Sequence, residues 1–446
     1  MRLEKHERPW HFPPPDDRTH HLSREYRLKV LISTYGSHGD VLPYIAIGRE
    51  MRARGHESVL FANPYFRDDV IAAGLQFAPI GAVEDYARLC GELSESDPMK
   101  ALRRASAHFA ENCREYYRAM KAEVVAGQTI TIGSSLLFAS RLLRETDNVP
   151  CAVVHLAPCV FRSNLKPARL VPNWINADTP MLFRRAAWWL ADIFTYNPYF
   201  TKPLNALRAE LGLAPVADVL RSWIHEADCA VALFPEWFAA RQTDWPAHVV
   251  LTGFPLYDNA DHSPLPDSLV EFLEAGPAPV AFCAGTANAN AKSFFETSAA
   301  ACRLAGVRGV LISHFADQIP EQIPADLMHV AYAPFGALLP KVSAFVHHGG
   351  IGSIGQALRA GAPQLIRPVA YDQFDNSAHA VRLGVARELM PKQYSPPSVA
   401  DALSRLMSDI PVQERCREIA SRFADGNPIR AACDAILSRC TGRSRS

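Results

Sequence analysis

The chain has 446 residues, of which 46 are basic and 46 are acidic. This length exceeds what one hydrophobic core usually supports, so we expect two domains. A hydrophobic content of 48% excludes disorder over most of the chain, and the balanced charge gives no indication of a nucleic-acid partner. The ten cysteines form no CxxC pair, which favours a reducing compartment over a disulfide framework or a zinc site.

Residues 1–26 mix charged side chains, histidines and three consecutive prolines. They lack the apolar segment of a signal peptide, and the rest of the chain has no run of about 18 apolar residues that would predict a membrane-spanning helix. We therefore expect a flexible leader and a cytoplasmic protein, either free or in peripheral contact with the inner face of the membrane.

Residues 27–253 alternate short apolar runs with amphipathic patterns, which is typical of a parallel sheet covered by helices. The first strand, Leu28–Ser33, leads through a glycine-rich turn to a helix over Val41–Gly55, with Pro43 in its first turn. The other predicted elements of this half are strands at residues 58–61, 75–78, 129–133 and 151–156 and a helix at residues 65–73.

Residues 160–205 interrupt this alternation with a high density of aromatic side chains. Two interpretations are open: these rings form the packing core of helices, or they form the wall of a site for an apolar acceptor, because aromatic rings supply large apolar area at low entropic cost. The aromatic residues are Phe161, Trp174, Phe183, Trp188, Trp189, Phe194, Tyr196, Tyr199 and Phe200.

The proline-rich residues 254–278 are the best candidate for a linker. Residues 279–425 repeat the strand–helix alternation, and residues 426–446 are expected to form a C-terminal tail. The predicted strands cover residues 279–283, 309–313, 329–332, 344–347 and 364–366, and helices cover residues 291–305 and 353–360. Two facing doubly wound domains would bind a ligand between the carboxyl ends of their strands.

The strongest motif is His347-His348-Gly349-Gly350-Ile351-Gly352-Ser353, which joins an apolar strand to a helix predicted to begin near Ser353. Free N–H groups and the positive dipole end of a helix bind a diphosphate, and glycines allow close approach. His347 and Ser353 would add donors, and His348 is the alternative to His347. The structural alternative is a tight turn without a ligand.

Two further segments follow strands of the same predicted sheet. Asp372 and Gln373 pair a carboxylate with an amide, which suits vicinal sugar hydroxyls, although Asp372 would also serve as a helix N-cap. Gly285-Thr286 would add a hydroxyl and a backbone N–H to the phosphate site.

The turn Tyr35–Asp40 lies at the end of the first predicted strand. It lacks the GxGxxG pattern, which disfavours a dinucleotide cofactor. His38 and Asp40 are titratable and either is a candidate general base on an acceptor hydroxyl, while Asp40 also fits a helix N-cap. No DxD motif occurs, so no metal is expected to bridge the diphosphate.

Together these motifs resemble family 1 glycosyltransferases of the GT-B fold, and the nearest subgroup is the rhamnosyltransferase catalytic subunit of rhamnolipid synthesis. The resemblance extends over about residues 28–410. It is carried by Gly36–Pro43, Tyr332–Pro334, His347–Ser353 and Asp372-Gln373.

The resemblance implies a role for each matching residue. His347 would contact the diphosphate, with Gly352 and Ser353 at the helix start, and Thr286 would lie in the other phosphate loop. Tyr332 would stack on the base and the backbone of Ala333 would read the pyrimidine edge. Asp372 and Gln373 would hold the sugar, and Asp40, or alternatively His38, would be the base.

These residues predict an α/β protein with two facing Rossmann-like domains and an inverting, metal-independent glycosyltransferase without a cofactor. A hexose or deoxyhexose would pass from a UDP- or dTDP-sugar to a hydroxyl of an apolar small molecule or lipid. Two alternatives stay open: a nucleotide-sugar epimerase, and a non-catalytic partner subunit that binds sugar nucleotide or lipid.

Overall fold

A computed structural model describes residues 27–93, 100, 106, 109–170, 175–257, 264–286, 288, 290–424 and 426–442. The predicted leader (residues 1–26), Trp174 and residues 258–263 of the predicted linker lie outside the described residues. Within this part of the chain, no helix is long and apolar enough to span a membrane.

The first domain is built on a seven-stranded parallel sheet in the order β3-β2-β1-β4-β5-β6-β7. Its order reverses between β1 and β4, and at such a reversal the loops after the two strands diverge and open a crevice. The strands are β1 Lys29–Ser33, β2 Glu57–Ala62, β3 Gln76–Pro79, β4 Thr129–Ser134, β5 Cys151–His155, β6 Cys229–Ala232 and β7 Val249–Leu251.

Helices cover both faces of this sheet, so its central strands are buried over nearly their whole length, as expected for a parallel sheet. They are α1 His38–Ala53, α2 Arg67–Ala72, α3 Val83–Leu93, α4 Phe109–Ala122, α5 Ala139–Asp147, α6 Met181–Ala191, which continues as a π-helix over Asp192–Thr201, and α7 Lys202–Glu210.

The second domain has a six-stranded parallel sheet in the order β10-β9-β8-β11-β12-β13. Its strands are β8 Val280–Cys283, β9 Gly309–Ile312, β10 Leu327–Val330, β11 Ala344–His347, β12 Gln364–Ile366 and β13 Ala386–Glu388. Its helices are α8 Asp267–Glu274, α9 Lys292–Ala305, α10 Phe335–Leu338, α11 Ile351–Ala360, α12 Gln373–Arg382, α13 Pro396–Ser408 and α14 Ile410–Ser421. The prediction of two doubly wound domains is confirmed.

Several predicted element boundaries are wrong, and three of these differences lie beside the crevice. Helix α1 begins at His38 rather than Val41, which places Pro43 in the second turn, and α11 begins at Ile351 rather than Ser353. Strand β10 ends at Val330 and does not reach Tyr332. In α1 the physical reason is a capping box in which the N-cap residue Ser37 pairs with Asp40.

Two domain boundaries also change. Helix α8 lies within the predicted linker, but Leu269 and Leu273, one turn apart, are buried in the core of the second domain. Residues 428–441 of the predicted tail form a final helix, α15 Pro428–Thr441. It returns to the first domain, where Ile436 packs with α1 and β6, and Arg54 of α1 forms an ion pair of 2.6 Å with Asp434.

Candidate functional site

The carboxyl ends of the two sheets face each other across the crevice. The rings of His38, after β1, and His314, after β9, lie nearly parallel with centroids 6.4 Å apart. Elsewhere along the crevice, the backbone N–H of Arg169 donates to Asp375 Oδ1 at 2.9 Å, and its guanidinium forms an ion pair with Glu388. Residues from both domains therefore share one site.

Asp40 is fixed at the start of α1. Its Oδ2 accepts hydrogen bonds from the backbone N–H of Ser37 at 2.8 Å and from the Ser37 hydroxyl at 3.0 Å. Gly36 has φ +136°, and a Cβ there would come within 2.3 Å of Asp40 Oδ2, so this close approach requires glycine. Asp40 is the third residue of the helix, not its N-cap, and among the described residues no hydrogen bond occupies its Oδ1.

Burial raises the pKa of Asp40, and the two hydrogen bonds from Ser37 oppose that shift. A carboxylate with a raised pKa is a stronger base than an exposed one. Asp40 therefore combines a fixed position, a free oxygen and increased basicity.

His38 lies two residues before Asp40, among the rings of Tyr65, Phe66 and Tyr86. Its Nδ1 is 3.3 Å from the Tyr86 hydroxyl. Burial, and in smaller part His314, lowers its pKa to about 4, so the imidazole is neutral at pH 7. Both predicted base candidates thus lie at the crevice, and each has a nitrogen or oxygen atom that could accept a proton there.

His347 is fully buried at the end of β11, with its ring stacked on Phe345 at 4.6 Å. Its Nδ1 accepts the N–H of Gly349 at 3.1 Å, so its Nε2–H donates to Gln364 Oε1 at 3.0 Å. Both nitrogens are occupied. The sequence-based preference for His347 as the phosphate contact is therefore wrong. Its side chain instead joins the backbone of the glycine loop, at Gly349, to Gln364 on the next strand.

His348, the predicted alternative to His347, lies at the glycine loops. Its ring lies between two glycine loops: a Cβ on Gly350 would come within 2.5 Å of His348 Nε2, and one on Gly285 within 3.0 Å of Cε1. Burial lowers its pKa to about 4, so the ring is neutral. Its Nδ1 is buried without a hydrogen-bond partner among the described residues, which is costly unless a ligand pairs with it.

Helix α11 begins directly after these glycines, with Gly350 as its N-cap. Its first residues, Ile351, Gly352 and Ser353, carry the N–H groups that lack a partner inside the helix. A Cβ on Gly352 would meet nothing within 4 Å, so the space in front of this turn is open. Gly349 has φ +91°, and a Cβ there would lie 3.1 Å from the backbone oxygen of Gln373.

The predicted sugar-binding pair lies on the next loop. Asp372 takes the N-cap position of α12 without capping it by its side chain. Instead its Oδ2 accepts from Asn376 Nδ2 at 2.6 Å, and the same amide donates to Gly349 O at 3.1 Å. Asn376 therefore connects the loop of Asp372 to the glycine loop of Gly349. Sequence analysis missed this residue, and the only sequence feature that could have indicated it is its spacing of four residues from Asp372.

Burial raises the pKa of Asp372 to about 7, and the negative charge of Asp40 across the crevice adds to that shift. Gln373 uses its Oε1 to accept from the N–H groups of Val369 and Ala370 at 2.9 and 3.2 Å. Its amide N–H₂ group is the part that remains to donate to a ligand.

The remaining predicted residues lie around β8, β9 and β10. Thr286 follows Gly285, which has φ +100°. Ala333 is buried, and the ring of Tyr332 packs nearly parallel to His314 with centroids 6.1 Å apart. His314 was also missed by sequence analysis, although it follows a predicted strand as the other site residues do.

The aromatic segment divides into two sets. Phe161 and Phe200 are buried in the first domain, as the core interpretation predicts. On α6 and its π-helical continuation, however, several large apolar side chains face solvent at helical spacing. We call these residues the apolar stripe: Leu182, Phe183, Trp189, Leu190, Ile193 and Phe194.

Comparisons with known proteins agree with this two-domain site. Residues 30–158 match the glycosyltransferase family 28 N-terminal domain, and residues 304–436 match the C-terminal domain of erythromycin biosynthesis protein CIII-like proteins. O-mycaminosyltylonolide 6-deoxyallosyltransferase of Streptomyces fradiae is 27% identical over 425 residues, covering 92% of this chain and 97% of that protein. The chain is a glycosyltransferase of the GT-B fold.

This glycosyltransferase is also similar to a sterol glucosyltransferase in sequence and to a natural-product glycosyltransferase in structure. Sterol 3-beta-glucosyltransferase of Candida albicans is 24% identical over 444 residues, and the match covers 93% of this chain but only 28% of that longer protein. The crystal structure of the glycosyltransferase of kitacinnamycin superposes with a TM-score of 0.71 at 20% identity, covering 93% of this chain and 99% of that one. The predicted enzyme class is confirmed, which disfavours the epimerase and the non-catalytic partner subunit.

Proposed function

We propose that this glycosyltransferase moves a hexose or deoxyhexose from a UDP- or dTDP-sugar to a hydroxyl of an apolar acceptor, with inversion at the anomeric carbon. The observation that carries the proposal is that the two candidate bases, Asp40 and His38, lie across one crevice from the second domain's loops, which include Asp372. A single displacement needs a base and a leaving-group site on opposite sides of the reacting carbon.

In the proposed mechanism, Asp40 or His38 takes the proton of the acceptor hydroxyl. The oxygen attacks the anomeric carbon in line, and the bond to the diphosphate breaks with its electron pair. The leaving diphosphate gains negative charge in front of α11, where free N–H groups and the helix dipole stabilise it. General-base catalysis of this kind contributes about 10²- to 10⁴-fold in rate.

Metal independence is part of the same proposal. It is supported by the protein groups that face the diphosphate: the start of α11, the loop of Gly285 and the unpaired Nδ1 of His348. Full activity after treatment with EDTA is the expected result, and activity that returns only on adding Mg²⁺ or Mn²⁺ would contradict it.

An apolar acceptor is supported by the aromatic rings of Tyr65, Phe66 and Tyr86, which surround the candidate base His38 on the acceptor side of the crevice. The names of the macrolide and sterol transferases above point to acceptors of the same character. The choice of rhamnose as the donor sugar is supported by the motif resemblance alone, so dTDP-rhamnose is one of the donors in the experiment below.

The test is a product screen by mass spectrometry, in which UDP-glucose, UDP-galactose and dTDP-rhamnose are each offered with sterols, macrolide aglycones and hydroxy-fatty acids. We expect a mass increase of one hexose or deoxyhexose on an apolar acceptor. NMR of the product then gives the anomeric configuration, and retention would contradict the single displacement. Donor hydrolysis or transfer only to polar sugars would contradict the acceptor class.

We also propose a peripheral contact of the protein with the inner face of a membrane through the apolar stripe. It is supported by the exposure of large apolar side chains such as Trp189 and Phe194 and by the charge beside them. Arg185 is exposed on the same helix, while Asp192 forms an ion pair with Arg162 at 2.6 Å.

A further inference from the structure

Arg367 lies at the edge of the proposed donor site without an assigned role. It follows β12 directly, and its backbone N–H donates to His347 O at 2.9 Å. Since His347 is paired with Ile366 in the sheet, Arg367 lies beside His348. Val346 and Leu365 of the same two strands pack in one core cluster. His348 and Arg367 therefore continue one face of the sheet beyond the strand ends.

The guanidinium of Arg367 is partly buried and has no carboxylate partner in the part of the chain that the structure describes. It lies 5.3 Å from the ring of Tyr394 and 6.0 Å from that of Phe294, and within the described residues it makes no hydrogen bond or ion pair. Its Nε is buried without a partner, and burial lowers its pKa. The Nε atoms of Arg169 and Arg387 are likewise buried without a partner, but both of these guanidinium groups bind a carboxylate through a terminal nitrogen.

A cation that is partly removed from water without a counter-ion is unfavourable in the free protein, and a bound anion would supply the missing negative charge. Arg367 begins the loop that ends at Asp372 and Gln373, and its other neighbour is the glycine loop of His348. In a sugar nucleotide, the β-phosphate is the group between the α-phosphate and the sugar.

We propose that Arg367 binds the β-phosphate of the nucleoside diphosphate-sugar and stabilises the charge that develops there when the sugar leaves. The proposal rests on the donor site proposed above. Guanidinium groups bind phosphate oxygens through paired, charge-assisted hydrogen bonds, and Arg367 has donors unoccupied by the protein. Together with the start of α11, it supplies positive charge at the leaving group.

The experiment compares the affinities of UDP, dTDP and their monophosphates by isothermal titration calorimetry. We expect Arg367→Met to weaken binding of the diphosphate by about 10- to 100-fold, the range of a charge-assisted hydrogen bond, and to leave the monophosphate within about twofold. Arg387→Met is the matched control, because this neighbouring arginine is paired with Asp409; its diphosphate affinity should equal that of the wild type.

Three results would overturn the assignment: unchanged diphosphate affinity in Arg367→Met, equal loss for mono- and diphosphate, or a lower melting temperature with loss of both. The last would show a structural role, whereas removal of an unpaired buried cation should leave the melting temperature equal or higher. Arg367→Lys should retain part of the diphosphate affinity. If the wild type bound neither UDP nor dTDP, the donor-site proposal itself would fail, which is a different outcome.

Discussion

Asp40 shows how one side chain can serve both the fold and the proposed chemistry. Its Oδ2 completes the capping box of α1, while Oδ1 accepts no hydrogen bond from any described residue. This double use explains why the sequence permitted two interpretations of the residue. A carboxylate at this position can cap the helix or act as a base. The sequence cannot show that one carboxylate oxygen is used for the capping box and that the other faces the crevice, because this depends on side-chain geometry.

Asp40→Asn should abolish transfer and leave nucleotide binding intact. Asparagine keeps the shape and accepts from Ser37 through its carbonyl oxygen, but it cannot take a proton. We expect a loss of at least about 100-fold in kcat, with UDP or dTDP affinity unchanged by calorimetry. His38→Gln is the parallel variant. If Asp40→Asn kept full turnover and His38→Gln lost it, the base would be His38.

The loops around α11 show which parts of the site the sequence could predict. The strand and the glycine turn followed from the apolar run and the motif, and β11 has the predicted bounds. The helix start was misplaced by two residues because Gly350 is a weak sequence signal for an N-cap. The choice between His347 and His348 depended on side-chain direction at the strand end, which Gln364, 17 residues later, helps to set.

Gly352→Ala should increase the stability of the protein and weaken its binding of the donor. Alanine is favoured over glycine inside a helix by up to about 1 kcal/mol, and the added Cβ meets no protein atom. The same methyl group would project into the space proposed for the diphosphate. We therefore expect a higher melting temperature and a weaker affinity for UDP or dTDP.

The control for this variant is Gly91→Ala in α3, where an added Cβ also meets nothing within 4 Å. This glycine belongs to the first domain and not to the donor loops of the second, so the substitution should raise stability without changing nucleotide affinity. If both variants bound nucleotide as the wild type does, the diphosphate would not lie in front of α11.

At the scale of the whole molecule, buried neutral histidines make stability depend on pH. Burial lowers the pKa of His225 and of His347 to about 3, against about 6.5 in an unfolded chain. Below pH 6.5 the unfolded state therefore binds protons that the folded state does not. Stability from these groups is complete above that pH and falls as the pH decreases towards 3.

His225→Gln should weaken this dependence. The amide can still form a hydrogen bond but does not titrate, so the loss in unfolding free energy between pH 7 and pH 5 should shrink by about 2 kcal/mol. Urea unfolding at both pH values measures it. His56→Gln, at a half-buried site, should change the dependence less; an equal change in the two variants would contradict the assignment to burial.

The apolar stripe would also fix how the whole molecule is oriented on a membrane. Leu182, Phe183, Trp189 and Phe194 are each more than 60% exposed, on a segment whose neighbouring loop reaches the second domain through Arg169. An apolar face beside the exposed Arg185 fits an anionic lipid surface better than water. A membrane docked there would lie on the same domain as the proposed site for the apolar acceptor.

We therefore expect the protein to float with vesicles of phosphatidylcholine and phosphatidylglycerol, and less with phosphatidylcholine alone. Burial of one large aromatic side chain contributes about 1.5–3 kcal/mol, so the double variant Trp189→Ala, Phe194→Ala should lose at least about tenfold in partitioning. Leu304→Ala removes an equally exposed apolar side chain from the other domain and should partition as the wild type does. If the double variant still floated, or if the stripe instead held two copies together in sedimentation, the lipid surface would not be its partner.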